Sequence, residues 1–309
     1  MQERFDLIII GAGPAGMTAG VYAARKKLKT LILTKDIGGQ AAWSSDVENY
    51  LGFTMVTGAD LVAKFERHLE EFKDDVTLHL LNGGVVRVAC NDDEIEVTAS
   101  DNQKFRARAL IITSGKKPRE LGVPGEKELL NRGVTYCAWC DGPLFKGKDV
   151  VIVGGGNSAL DAALNVQKLV HEIYIVNVAK ELTADPVMVE KVKAADNIRI
   201  INQAELKQIE GDKAVIGVKI LDHDSGLEKD IPCQGVFIEV GYIPATDYLK
   251  GTIDLNDQGE IVIDTHNATS LAGVFAAGDV TTVAEKQIII AAGEGAKAAI
   301  AAAQYLAKS

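Results

Sequence analysis

Two textures alternate along the chain. Short runs rich in β-branched residues are each followed by a glycine turn and a stretch of small residues with helical spacing. Residues 5–10 (F-D-L-I-I-I) form the first run, of the kind that buries inside a parallel sheet. The pattern predicts a helix from the turn to about Lys26 and a second strand over residues 29–33. It then returns: Asp149–Val153 is apolar, a second glycine turn leads into a helix to about Leu169, and residues 173–176 make the next strand. Strand, turn, helix, strand is the unit of an α/β fold with parallel sheets. Leu7 to Ala24 is an uncharged run of 18 residues, which by length alone nominates a membrane span. Its four glycines and Pro14 favour strand, turn and helix instead. The flanking Glu3 and Asp6 beside Arg4 do not suit a signal peptide.

The turns carry chemistry. Gly11, Gly13 and Gly16 make G-x-G-x-x-G, and Gly154, Gly156 and Ala159 make G-x-G-x-x-A 143 residues later. The first glycine permits a tight turn, the second lets backbone approach a pyrophosphate, and the third position lets helix and strand pack closely. The pyrophosphate then rests on a helix N-terminus. Two such units predict two dinucleotides, as in a protein passing electrons from a nicotinamide to a flavin. The second strand of each unit should end in an acid that holds a ribose hydroxyl. Here the ends read Thr34-Lys35 and Asn177, neither acidic.

Composition narrows the class. With 309 residues, the usual domain size gives two domains, and 47% apolar content supplies full cores. The net charge of −10 argues against nucleic acid or an anionic membrane as partner. Thirty glycines are a surplus over average usage of about 7%. The four cysteines are no secreted framework: Cys137 and Cys140 form a C-x-x-C, while Cys90 and Cys233 lie singly on strand-like stretches and read as core. A cytoplasmic protein with one special pair is expected.

The stretch Thr135-Tyr136-Cys137-Ala138-Trp139-Cys140-Asp141-Gly142-Pro143 is the densest signal. A C-x-x-C closes a small reducible disulfide and can hold a reactive thiolate. Half a zinc site is the other reading, but the five histidines lie more than thirty residues from the pair. Asp141 is placed to move the proton that thiol–disulfide exchange requires, or else to serve the turn. Trp139 either touches a partner or packs against its own domain.

With these residues in view, the chain resembles the low-molecular-weight thioredoxin reductase family, most nearly the flavoprotein part of alkyl hydroperoxide reductase. The likeness rests on G-A-G-P-A-G (11–16), G-G-Q (38–40), V-E-N-Y (47–50), Y-C-A-W-C-D-G-P-L-F-K-G-K (136–148), G-G-G-N-S-A (154–159), G-V-F-A-A-G-D (273–279) and K-Q-I-I-I-A-A-G-E-G-A-K-A (286–298). It implies two Rossmann-like domains, the second inserted into the first: an FAD-binding domain over 1–116 and 245–309, and an NAD(P)-binding domain with the redox pair over 117–244. Crossings are expected at Lys116–Pro118 and at residues 241–244, with domain rotation about them. FAD would lie on Gly11, Gly13, Ala15 and Gly16, with Gly39, Gln40, Asn49 and Val85 near its ring and linker. Gly278 and Asp279 would hold the ribityl chain, and Lys286 and Gln287 the pyrimidine end. The nicotinamide dinucleotide would lie on Gly154, Gly156, Asn157, Ser158 and Ala159, with Asn177 at its ribose. Cys140 would face the flavin, Cys137 would attack the substrate disulfide, and Asp141 would be the acid.

The likeness has departures. Family members using NADPH carry a histidine-arginine-arginine cluster where this chain reads Val176-Asn177-Val178-Ala179-Lys180-Glu181. Without an arginine to clamp a 2′-phosphate, NADH is the expected donor, since an amide can still bond a ribose hydroxyl. A ferredoxin or deazaflavin donor is the alternative, and a flavin-binding redox sensor without turnover is a third reading. Thr113-Ser114-Gly115 replaces the usual threonine-glycine, with little consequence expected. The first strand is expected four residues into the chain, so the relative's N-terminal thioredoxin-like domain is not expected here. The expected acceptor is therefore a separate thioredoxin or glutaredoxin-like protein, or a peroxiredoxin directly, and a homodimer is implied.

Overall fold

A computed structural model describes residues 4–44, 47–91 and 94–308; Glu3 lies outside them. The chain divides into two compact units, Met1–Lys117 with Ile243–Ser309, and Pro118–Tyr242. The α/β class with parallel sheets is what the structure has.

The first unit is built on a seven-stranded sheet. Its order is Val76–Leu80, Thr30–Ile37, Arg4–Ala12, Lys104–Ile112, Glu94–Ala99 and Val85–Asn91, with Val274–Ala276 also paired to Lys104–Ile112. The strands from Val76 to Ile112 in that order run parallel, and the pairs through Glu94–Ala99 are antiparallel. Leu7, Ile8 and Ile9 are fully buried, as strands covered on both faces require. Ile10, Ile112 and Ala276 share one register, so the turns that follow them emerge at one edge of the sheet. The helix Pro14–Arg25 takes proline in its first turn, where the missing N–H is no loss, and Lys27 leaves it with φ +58°. Gly295 of the last helix, Ile288–Leu306, sits against the Ala15 carbonyl, where no side chain fits.

The second unit has a five-stranded parallel sheet in the order Ile198–Asn202, Glu172–Asn177, Asp149–Val153, Gly235–Ile238 and Val134–Thr135. An antiparallel sheet of Ala204–Gly211, Val215–Asp222 and Leu227–Pro232 accompanies it. Val153 pairs with Val176 and Ile238, and Phe237 with Thr135. The residues after these strands therefore lie along one carboxyl edge: Gly154, Asn177, Glu239 and the cysteine pair.

The helix Asn157–Val166 stops short of the expected Leu169, because the N–H groups of Leu169 and Val170 both turn back to the Val166 carbonyl. The strand expected over 29–33 runs on to Ile37. The segments Lys116–Pro118 and Tyr242–Pro244 pair as a two-stranded ribbon.

Among the described residues, no helix is long and apolar enough to cross a membrane.

Candidate functional site

The first glycine turn is tight where it meets the sheet and open where it meets the helix. Gly11 has φ +106°, and a Cβ there would strike the Thr113 carbonyl. Thr113 fastens this crossing by donating its hydroxyl to Ile10 O at 2.8 Å. Gly16 lies against the Gly11 carbonyl and Thr113 Oγ1. Gly13 and Gly39, by contrast, meet nothing nearer than each other's neighbourhood: a Cβ on Gly13 would find Gly38 O at 3.9 Å, and one on Gly39 would find Gly13 Cα at 3.9 Å. Two backbone surfaces thus border free space at the N-terminus of Pro14–Arg25, where a pyrophosphate is best received.

The other expected residues lie in the same unit, with Gly278 beside Ala15 of the helix that the turn opens. Asn49 Nδ2 donates to Gln287 Oε1 at 3.0 Å, joining positions 238 apart in sequence. Gln40 Nε2 donates to Lys116 O at 2.9 Å. Lys286 Nζ lies 3.1 Å from Glu260 Oε1 and donates to Thr281 O, and Lys116 Nζ stands 3.6 Å from Glu260. Burial raises the Asp279 carboxyl above its ordinary pKa, opposed by Lys286 and Lys116. Gly278 packs near Ala15, with φ +77°. Val85, half-buried, opens the strand Val85–Asn91 and packs into the core cluster around Val88 and Val97.

Two participants do not show in the sequence pattern. Asp36 stands near the end of the lengthened strand and accepts from Gly39 N at 3.1 Å, so an acid is present where Thr34-Lys35 suggested none. Ser114 donates to Ala245 O at 2.9 Å and accepts from the half-buried Tyr248 hydroxyl at 3.1 Å. The Ser114 departure therefore stitches the two stretches of this unit.

The second turn repeats the logic. Gly154 has φ +135°, and a Cβ there would strike the Glu239 carbonyl; Ala159 is fully buried beside it. Gly156 has open space, with Thr183 Oγ1 at 3.8 Å its nearest neighbour, and it caps Asn157–Val166. Asn157 Oδ1 accepts from Asp185 N at 2.8 Å, and Ser158 lies half-buried in the first turn. Asn177 differs from expectation. It is buried, and its amide protons face Ala179 O, Glu181 O and Asn202 Oδ1 at 3.2, 3.0 and 2.9 Å, while Oδ1 accepts from Ala179 N. Its donors organise the 177–181 loop, which leaves a ribose only a lone pair of Oδ1.

Cys137 and Cys140 are joined as a disulfide, their Cα atoms 5.4 Å apart. Cys140 N donates to Cys137 Sγ at 3.1 Å, an arrangement that favours a thiolate on Cys137 after reduction. Cys140 is exposed and Cys137 half-buried, and Trp139 between them is 44% exposed rather than packed away. Thr135 ties the group together: its oxygen accepts from Cys137 N at 3.1 Å and donates to Asp141 Oδ2 at 2.5 Å. Beside them the Tyr136 hydroxyl donates to Glu126 Oε1 at 2.7 Å, and burial beside that carboxylate raises the phenol's pKa. Cys233 is fully buried, as expected, and burial pushes its thiol up to about 12. Cys90 is half-buried, with its pKa raised for the same reason. No cluster of metal-ligating side chains occurs among the described residues.

Residues 5–303 match the pyridine nucleotide-disulphide oxidoreductase family. The chain belongs to that family. The family works with a flavin and a nicotinamide nucleotide, and the chain presents two open glycine cradles. It is 38% identical over its whole length to the NADH dehydrogenase of Bacillus subtilis (strain 168) and to an alkyl hydroperoxide reductase component of Pseudomonas putida. It spans about 60% of the length of these relatives. Among solved structures, Lactococcus lactis thioredoxin reductase superposes with a TM-score of 0.89 at 32% identity, covering 99% of this chain and 100% of that one. This family placement and the redox pair agree with the resemblance read from the motifs.

Proposed function

We propose that this oxidoreductase is a thioredoxin reductase-like flavoenzyme that carries electrons from NADH, through FAD and the Cys137–Cys140 disulfide, to a separate thioredoxin or glutaredoxin-like protein. The single observation that carries the reading is the closed, solvent-reachable disulfide held with Thr135 and Asp141 on the carboxyl edge of a sheet whose glycine turn is open. In this reading Met1–Lys117 with Ile243–Ser309 is the FAD-binding domain and Pro118–Tyr242 the nicotinamide-binding one. Gly13 and Gly39 would lie under one pyrophosphate and Gly156 under the other, with the rest of each expected set around them. When bound, the flavin relays two electrons from the nicotinamide to the disulfide.

The chain's own residues do the remainder. Reduced Cys137, its sulfur facing the Cys140 N–H, attacks one sulfur of the partner's disulfide and forms a mixed disulfide while the first partner thiolate leaves. Cys140 then attacks Cys137 Sγ, closing the intramolecular disulfide and releasing the second partner thiol. Asp141, aimed by Thr135, supplies and recovers the proton that these thiolates exchange. Exposure alone ranks the two cysteines in the reverse order, so the division of roles rests on the Cys140 N–H and on the resemblance. NADH is favoured over NADPH because Lys180 is the lone cation in 176–181 and Glu181 opposes it. A single reducible pair beside two unactivated thiols suits the cytoplasm, and a homodimer follows the resemblance.

The test is anaerobic mixing of the oxidised flavoprotein with NADH or NADPH while the flavin absorbance is followed. Rapid bleaching by NADH, then NADH-dependent turnover with a thioredoxin, is the expected result. No bleaching with either nucleotide overturns the donor and points to ferredoxin or a deazaflavin. Bleaching without turnover on any disulfide protein overturns the reductase reading in favour of a sensor.

A further inference from the structure

Among the described residues two glutamates are buried, and they are treated very differently. Glu126 accepts from the N–H groups of Leu121, Gly122 and Val123 and from the Tyr136 hydroxyl. Glu239 is 9% exposed and no hydrogen bond from the described residues reaches its carboxyl, yet its oxygens are not sealed off as Asn267 Oδ1 is. A carboxyl held largely out of water, with an opening and no protein partner, asks for a reason in the fold.

That place is specific. Glu239 directly follows the strand Gly235–Ile238, and its N–H donates to Val153 O at 2.9 Å. The sheet reverses its strand order between Asp149–Val153 and Gly235–Ile238: from Asp149–Val153 it grows one way through Glu172–Asn177 and Ile198–Asn202, and the other way to Gly235–Ile238. The crevice beyond the carboxyl ends of two such strands is where open α/β sheets bind their ligands. Gly154 lies on one side of it and Glu239 on the other, close enough that a Cβ on Gly154 would strike the Glu239 carbonyl. The end of Glu172–Asn177 is the side that serves the adenosine ribose in such units, so the opposite side falls to the other half of the dinucleotide.

We propose that Glu239 is a specificity-determining residue for the nicotinamide half of the dinucleotide, its carboxyl meeting the polar edge of the ribose or carboxamide. This rests on the reading that Pro118–Tyr242 binds a nicotinamide nucleotide.

The surroundings keep the acid neutral. From the helix Asn157–Val166, Asp161 faces it with like charge. From the segment after its own strand comes Tyr242, whose phenol is itself raised to about 12 by burial and by Glu239 and Asp161. Asp149–Val153 and the turn 154–156 bring no charged side chain to this edge beyond Asp149 at the far end, and beyond Val134–Thr135 the nearest acid, Asp141, is tied to Thr135. No cation acts on the carboxyl. Burial first, and Asp161 second, push its pKa up to about 8. Below that pH the protonated group donates a hydrogen bond. Above it the bond is lost and a carboxylate faces the dinucleotide's phosphates, so binding weakens as pH rises.

The experiment is calorimetric titration of the oxidised holoenzyme with NAD⁺, ADP-ribose and ADP at pH 6.5, 8 and 9.5, in buffers of different ionisation heat, for the wild type, Glu239→Gln and Glu239→Ala. The wild type should lose about tenfold in NAD⁺ affinity from pH 6.5 to 9.5 and take up a proton on binding at the higher pH. Glu239→Gln should bind within about threefold of wild type at pH 6.5, with a flat profile and no proton uptake, since an amide donates without titrating. Glu239→Ala should bind about tenfold more weakly at pH 6.5, and ADP should show no slope with any variant. A slope retained with ADP-ribose assigns the contact to the ribose, and a slope lost assigns it to the carboxamide. A wild-type slope in Glu239→Gln, or a shared slope with ADP, overturns the proposal even if the alanine variant fails to fold. No NAD⁺ binding by the wild type at any pH overturns the nicotinamide reading and this proposal together.

Discussion

Thr135 and Asp141 are joined through a hydroxyl that does two things at once: its oxygen accepts the Cys137 N–H while its hydrogen goes to the Asp141 carboxylate at 2.5 Å. Thr135→Val removes both bonds with little change of shape. Turnover with a disulfide partner should fall about tenfold, because proton transfer depends on aim as well as on the acid. Nicotinamide binding should be unchanged. Thr135→Ser should recover activity to within about threefold, since its hydroxyl supplies the same donor and acceptor. A kcat/KM profile against pH for the two variants checks this, and equal loss in both would show that Thr135 only fills space.

The cysteines should separate by trapping. Cys137→Ser should leave flavin bleaching by the nucleotide intact and abolish reduction of the partner. Cys140→Ser should leave Cys137 free to form a mixed disulfide that cannot be resolved, visible as a covalent adduct by non-reducing electrophoresis or mass spectrometry. An adduct forming only in Cys137→Ser would reverse the assigned roles.

The two glycines of the second turn should fail in different ways. Gly154→Ala meets the Glu239 carbonyl at φ +135°, so it should destabilise the protein by about 1–3 kcal/mol, seen as a lower Tm. Gly156→Ala meets only open space, so Tm should hold while nucleotide affinity falls at least about tenfold, because the methyl occupies the approach of the pyrophosphate. Equal affinity in Gly156→Ala would mean that no phosphate approaches there.

Thiol counting should rank the cysteines by environment. Burial holds the Cys233 thiol at about 12 and raises that of Cys90, so at pH 8 both are almost wholly protonated and poor nucleophiles. In the reduced protein, Cys137 and Cys140 should react quickly with a disulfide reagent, Cys90 slowly, and Cys233 only on unfolding. Rapid modification of all four thiols in the native protein would contradict the burial of Cys233.

Much of the fold and of both cradles is legible because glycine spacing and β-branched runs act locally. Gly11, Gly13 and Gly16 are needed by the turn they make, whatever lies elsewhere. What stays hidden depends on long-range pairing. Asp36 escapes notice because the strand's apolar signal ends at Leu33 while its hydrogen bonding continues to Ile37. Asn177 reads as a ligand contact because its position is visible in the sequence and its competitors, Ala179, Glu181 and Asn202, are not. The Asn49–Gln287 bond spans nearly the whole chain. Glu239 does carry a legible signal, a lone acid ending the apolar run Gly235–Ile238.

The strand Val274–Ala276 completes the first sheet by pairing with Lys104–Ile112, although more than 160 residues separate them in sequence. On a ribosome this sets a schedule. Pro118–Tyr242 is contiguous and can close its own sheet as soon as it emerges, whereas the first unit must keep the Leu110–Ile112 end of its strand, beyond the part paired with Glu94–Ala99, unpaired on that side until Val274–Ala276 arrives. Gly278, Asp279 and the helix from Ile288 come later still. The cradle at Gly13 is thus finished among the last events of synthesis, and a truncated chain that stops before Val274 would release a folded inserted unit beside an open, aggregation-prone strand edge.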